Sequence, residues 1–460
     1  MYRHTKCCII NLVWFRYVLE KALHTERNNP QTVCMERVRK AMLRRVLPNG
    51  MRVVCECLPG YRSVSMGVWI NAGSVYELGS ESGAAHFIEH MLFKGTKNRS
   101  ASDIAEEMDA VGGNLNAFTS KECTCFYGRV LLRDAGTLAS VLSDLIENSV
   151  LDPKDIELEK GVVCEEIAMT EDTPEDLVSD TAASGFYEGD PLERPILGTA
   201  ESVRGFTREG LASYMERLYQ PDNMVLAVAG NIDEEGLDRL LERSFLFTGK
   251  SEGHDVDFSR HTPGRRLKLI GKEIEQAHIA ICLNGFKKDT PESYAMLLFS
   301  NAFGGSMSSR LFRRIREENG LAYSVYSYPT AYSNSGYLTL YAGTGAENAV
   351  TVTQMMLEEI RRVRADGLTR EELLRAKDQL IASFIMAQES TSARASAIGR
   401  SELLRGSHLT EDEIIARIEA VGMEDIEAVI PKALTLDDFS ACFVGRIGES
   451  GEELKKLLLG

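Results

Sequence analysis

Two hydrophobic periods alternate along this chain. From Arg44 the text RRVLPNGMRVVCECLP reads strand, turn and strand, with Pro48-Asn49-Gly50 as the turn. SVSMGVWINAG from Ser63 alternates like a further strand. Ser82–Phe93 and Ser102–Val111 read as helices, the second ended by Gly112-Gly113. Asn114–Val130, rich in Thr, Phe and Tyr, returns to strand. Ala135–Val150 has apolar residues at helical spacing, and Pro153 opens a long helix through about Met169. Met224–Ala229 is a strand, followed by Gly230-Asn231 and a short helix.

Thr248–Arg266 breaks the pattern. Gly, Pro, Ser and charge dominate it without a period, as in a linker. Beyond it the text begins again. LKLIGKEIEQAHIAICLNGF is strand-like, Glu292–Ala302 helical, Gly336–Gly343 strand-like and Asn348–Arg364 helical. LTREELLRAKDQLIASF from Leu368 echoes LDPKDIELEKGVVCEEI from Leu151. The offset is roughly 210–217 residues, a duplication that predicts two homologous domains. Each mixes an antiparallel-rich sheet with packed helices, so the expected class is α+β. The predicted division is an N-terminal extension over 1–40 that is poorly ordered, a domain over 41–247, a linker over 248–266 and a domain over 267–460.

Composition narrows the function classes. Hydrophobic residues make 44% and charged residues 26% of 460, which is ordinary for a globular chain. The net charge of -16, from 52 Lys+Arg against 68 Asp+Glu, argues against a nucleic-acid binder. The apolar run Cys7–Phe15 is too short to span a membrane, and Arg16 follows it directly. No small-residue cleavage site follows it, and Glu20, Glu26 and Glu36 spoil a transit-peptide reading. The ten cysteines include two pairs at C-x-C spacing, Cys55/Cys57 and Cys123/Cys125. Each pair shares one face of a strand. Reduced thiols in a cytoplasmic protein are the expectation, with a soft-metal site built from both pairs as the alternative.

The chemistry concentrates in His86-Phe87-Ile88-Glu89-His90. On a helix His86 and His90 share a face and can reach one ion. Glu89 stands beside that face, within reach of a water on the metal: the inverted order H-x-x-E-H. A catalytic zinc site needs a third protein ligand. Glu159 and Glu166, two turns apart on the helix after Pro153, are the candidates, while Glu165 points elsewhere.

HFIEHMLFKGT at His86–Thr96 resembles the active-site helix of the pitrilysin/insulinase superfamily, in its processing-peptidase branch. GGNLNAFTSKECTCFY at Gly112–Tyr127, ELEKGVVCEEIAM at Glu157–Met169 and RLFRRIREENGLAYSVYS at Arg310–Ser327 are similar to its other motifs. The resemblance covers about 45–330 and leaves the first 40 residues outside. It implies a clamshell of two domains and one zinc per chain on His86, His90 and Glu166. It implies Glu89 as general base and Glu159 as a carboxylate supporting a ligand. Asn116 and Ala117 would lie on an edge strand that pairs with an extended peptide, and Arg316 and Tyr323 would reach the scissile carbonyl. Asp176 and Asp180, four residues apart, would receive an arginine two residues before the cut. Ordinary readings stand beside these: Arg316 lies in an arginine-rich run, Tyr323 could be core, and Asp176 and Asp180 could be a solvated acidic stretch.

By the repeat, Met296, Phe299 and Ser300 fall where His86, Glu89 and His90 would be, and Ser383 where Glu166 would be. The second domain is therefore expected to lack metal. The expectation is a zinc metalloendopeptidase acting on peptides or unfolded presequence-like segments. It is a homodimer by resemblance, with no nucleic-acid or membrane partner. The rival is a non-catalytic assembly subunit of the same fold.

Overall fold

A computed structural model describes residues 42–251, 256–258, 262–448 and 450–460. The extension over 1–40, with His254 and His261 of the linker, lies outside the described residues. The first half contains β1 (Met42–Val46), β2 (Arg52–Cys57), β3 (Ser63–Ile70), α1 (Ala84–Leu92), α2 (Ala101–Ala110), β4 (Asn114–Thr119), β5 (Thr124–Leu131), α3 (Ala135–Asn148), α4 (Pro153–Asp172), α5 (Pro174–Phe186), α6 (Arg208–Leu218), β6 (Met224–Gly230) and α7 (Glu234–Leu241). The second contains β7 (Arg265–Gly271), β8 (Gln276–Asn284), α8 (Pro291–Ser300), β9 (Ala322–Ala331), β10 (Gly336–Gly345), α9 (Ala349–Asp366), α10 (Arg370–Ala387), α11 (Thr391–Arg405) and β11 (Phe439–Gly445).

The first sheet runs β1-β2-β6-β3-β5-β4 and the second β7-β11-β8-β10-β9. Apart from β1 the two orders are the same, and each contains one parallel pair, β2 with β6 and β7 with β11. The duplication read from the text is thus a duplication of topology. Arg265 and Arg266, expected to end the linker, already belong to β7.

Asn114–Val130 is two strands rather than one. The Ser120 N–H donates to the Cys123 carbonyl at 2.8 Å and the Cys123 N–H to Ser120 Oγ at 3.1 Å, closing a tight turn between β4 and β5. The predicted helix over Glu292–Ala302 is α8, continued by a wider π-helical turn over Asn301–Gly305.

Both faces of each sheet are covered, which explains the near-continuous apolar strands. On β3, Val64, Met66, Val68 and Ile70 enter the core beneath α1 and α3, whereas Ser65 and Trp69 face the other way. On β8, Ala277, Ile279, Ile281 and Leu283 make the second core, and Ala280 and Cys282 the opposite face. The helices on those opposite faces are exchanged. α5, from the first half, lays Val178, Ala182 and Phe186 on Ala280, Cys282, Cys442 and Val444 of the second sheet. α11, from the second half, lays Ile398 and Leu403 on Trp69, Val225 and Ala227 of the first. Arg44 and Glu402 (2.8 Å), Arg394 and Glu56 (2.6 Å), and Ser65 and Thr391 (2.8 Å) join α11 to that sheet.

The cysteine alternative is overturned. Cys55 packs in the core under the helices, while Cys123 and Cys125 pack on the opposite face beside Trp69, so the two pairs cannot share an ion. All seven described cysteines are free thiols.

Candidate metal centre

α1 begins at Gly83, whose φ of 89° suits glycine. A Cβ there would lie 2.6 Å from the Leu197 carbonyl oxygen, so the helix starts where two loops touch. One turn separates His86 and His90, and their rings stand 4.6 Å apart. α4 opens at Asp152, whose side chain accepts from the Lys154 N–H, and Pro153 takes the first helical position. This long helix packs against α1 and carries Glu159 and Glu166 to it.

Glu166 Oε2 lies 3.6 Å from His86 Nε2 and 3.5 Å from His90 Nε2. One donor atom from each residue falls within 4.8 Å of the others, and no second such group occurs among the described residues. With bonds of 2.0–2.1 Å, a tetrahedral zinc spaces its ligands by about 3.3 Å, so two imidazoles and this carboxylate fit the ion.

Glu159 is buried and occupied. Its Oε1 accepts from His90 Nδ1 at 2.8 Å, and its Oε2 meets Lys94 Nζ at 2.5 Å. This bond leaves His90 Nε2 free for the Glu166 side. Glu166 thus stands at the cluster and Glu159 behind His90. Burial raises the Glu159 carboxyl, but the bonds from His90 and Lys94 outweigh it and the net shift is downward. The same bond raises His90. Burial, then the neighbouring His90, lowers His86 to about 4, so it is neutral and fit to ligate. Burial also raises Glu89, whose Oε2 accepts from Thr119 Oγ1 at 2.5 Å.

Among the described residues β4 is an edge of the first sheet, pairing only with β5. Asn116 is exposed, and its Oδ1 accepts from the Ala117 N–H at 2.8 Å. Arg316 and Tyr323 are brought together. The Arg316 guanidinium donates to the Tyr323 carbonyl at 2.7 Å and lies 4.5 Å from the ring centroid. Tyr323 is 74% exposed rather than core. Among the described residues neither hydrogen-bonds to the His86–His90–Glu166 cluster. Asp176 and Asp180 lie on α5, one turn apart. Lys121 is close enough to Asp180 to lower its carboxyl, although burial wins and the net shift is upward. His278 is a packed strand histidine, 2.8 Å from the Tyr341 hydroxyl.

In the second half Met296, Phe299 and Ser300 are buried, the first two in the core, and Ser383 is exposed on α10. Three contributors escaped the sequence reading. They are Lys94 on Glu159, Thr119 on Glu89, and Glu77, which accepts from the Gly83 and Ala85 amides. Lys94 had a weak signal, four residues beyond His90 in the turn just past the end of α1. Thr119 comes from the end of β4 and Glu77 from the turn before α1, and neither shares a helical spacing with His86 and His90.

Comparison with known proteins shows the family of the chain. Residues 52–200 match the model for the insulinase family (peptidase family M16), and 205–380 that for the peptidase M16 inactive domain. A Bacillus subtilis protein named an uncharacterized zinc protease, YmxG, is 40% identical over 87% of this chain and 97% of its own length. A Streptomyces coelicolor protein also named a zinc protease is 39% identical over 84% and 86%. A protease structure from Helicobacter pylori superposes with a TM-score of 0.81 over 88% of this chain and 99% of that one, at 20% identity. A Pseudomonas fluorescens structure described as a peptidase M16 inactive domain does so equally, covering 88% and 98% at 18% identity. No helix among the described residues is long and apolar enough to cross a membrane.

Proposed function

The chain belongs to the insulinase (M16) family of peptidases, and we propose that it is a zinc-dependent endopeptidase for peptides or unfolded presequence-like segments. One observation carries the reading: two neutral-capable imidazoles and a carboxylate converge at tetrahedral spacing, with Glu89 beside them. His86, His90 and Glu166 would hold one ion. Zinc supplies Lewis acidity and brings the pKa of an adjacent water to about 7. Glu89, held by Thr119, would take a proton from the attacking water and deliver it to the leaving amine. Glu159 keeps His90 in the ligating tautomer.

An extended substrate adds to the free edge of β4, main chain to main chain. Asn116 then swings away from the Ala117 N–H to let the backbone bond form. Arg316 and Tyr323, already assembled as a pair, stabilise the developing oxyanion. Asp176 and Asp180 select an arginine two residues before the cut, with Lys121 as the cation the substrate must outcompete. Replacing both with Asn should raise KM for such peptides and spare neutral ones. Equal losses on both, or no arginine preference in the parent, would remove that role. We further infer a cytoplasmic homodimer, supported by the free thiols for the compartment and by the resemblance for the assembly.

The second reading, a non-catalytic subunit, is favoured by the inactive-domain description of the match over 205–380. That match begins at residue 205, beyond Glu166, and contains none of the candidate ligands. Elemental analysis combined with cleavage of an internally quenched peptide separates the readings. The peptidase binds one zinc, loses cleavage to a chelator and regains it with zinc. A folded chain that holds no zinc and cleaves nothing is the scaffold.

A further inference from the structure

We propose that Glu77 is a positioning residue for the metal centre: its buried carboxylate grips the first turn of α1 at two points and sets the direction in which His86 and His90 point. The proposal rests on the zinc peptidase reading above.

Glu77 is 2% exposed. Its Oε2 accepts from the Gly83 N–H at 2.9 Å and its Oε1 from the Ala85 N–H at 3.0 Å. The helix has no side-chain cap of its own, because Gly83 stands at the cap position. Ordinary cap residues offer one acceptor, from one position of the adjoining chain. Glu77 comes from six residues upstream and offers two. Amides two residues apart sit at different angular positions around the helix axis, so holding both fixes rotation as well as height. Ala85 immediately precedes His86.

Glu77 is itself anchored. The Arg194 guanidinium donates to its backbone carbonyl, and the Lys121 amine donates to the Arg194 carbonyl. Two residues earlier the Val75 N–H donates to the Lys121 carbonyl at 3.0 Å, and the Ser74 N–H to Ser120 at 3.3 Å. Ser120 follows Thr119, the residue that holds Glu89. One frame therefore grips the helix backbone through Glu77 and the general base through Thr119. At α1 the contact between Gly83 and Gly198 closes the remaining side, since a Cβ on Gly198 would lie 2.4 Å from the Ser82 carbonyl. Burial pushes the Glu77 carboxyl up, while the Ala85 and Gly83 amides and Arg194 favour its ionised form. A buried acid is a costly cap, which sets Glu77 apart from a routine helix stop.

The test uses the full chain, purified with zinc. Glu77→Gln keeps the shape but pairs one acceptor with an amide that repels a backbone N–H; Glu77→Ala removes both acceptors. Ser100→Ala, which strips the cap of α2, is the stability control. Zinc release to a colorimetric chelator and peptide cleavage are both measured well below every variant's melting temperature. A residue that orients ligands through their helix should behave like other outer partners of a metal site, with zinc release accelerated and kcat lowered by about 10–100-fold. KM should stay within about twofold, because the substrate edge on β4 is untouched. Ser100→Ala should lose stability only. If both Glu77 variants match Ser100→Ala in zinc release and kcat, the proposal is overturned. If Glu77→Ala fails to fold, Glu77→Gln decides alone. A parent chain without zinc would instead overturn the peptidase reading.

Discussion

At the scale of single residues, the centre separates the tasks of two carboxylates on one helix. Glu166 faces the imidazoles and is left to ligate, whereas Glu159 is occupied by His90 and Lys94. Glu89 stands outside that donor set, with one oxygen taken by Thr119. Replacing Glu89 with Gln should therefore leave one zinc per chain while slowing turnover by about 10²–10⁴-fold, the range for a lost general base. His90→Ala should lose metal and turnover together. Elemental analysis beside single-turnover kinetics distinguishes the two, and near-normal hydrolysis by Glu89→Gln would disprove the assignment. His86, Glu89 and His90 were legible in the text because helical spacing alone gathers them. Thr119 and Glu77 were not, since only tertiary packing brings the end of β4 and the turn before α1 against that helix.

At the scale of elements, the exchange of α5 and α11 governs stability. α11 packs so closely that a Cβ on Gly399 would lie 2.3 Å from Trp69 Nε1 and 2.7 Å from the Ala227 Cβ. Neither atom can move freely in a packed face. Gly399→Ala should cost about 1–3 kcal/mol, the usual penalty of overpacking. Denaturant unfolding measures it, and an unchanged midpoint would mean that the helix sits more loosely than described. The strands and long amphipathic helices could be read from the chain because their periods are strong. α5 and α11 escaped because their few large packed residues are spread among Ala, Ser and Gly, as in PEDLVSDTAASGF and TSARASAIGRSELLR. Small residues permit close approach but leave little hydrophobic rhythm to detect.

At the scale of the whole molecule, the halves are homologous in topology yet not self-sufficient. A chain ending near Lys250 retains every metal ligand but uncovers Val54, Trp69, Val225 and Ala227. It should aggregate or self-associate on size exclusion rather than behave as a monomer, and co-expression with residues 262–460 should restore solubility. A monodisperse, folded first half would contradict this dependence. The same exchange has a consequence during synthesis. When Ser251 leaves the ribosome the first sheet is complete, but the helix that covers its outer face ends at Arg405. At translation rates of about 5–20 residues per second, the nascent chain carries a bare apolar sheet for roughly 8–30 s. For that interval the protein depends on whatever shields unfinished chains, and slowing translation between the two points lengthens its exposure.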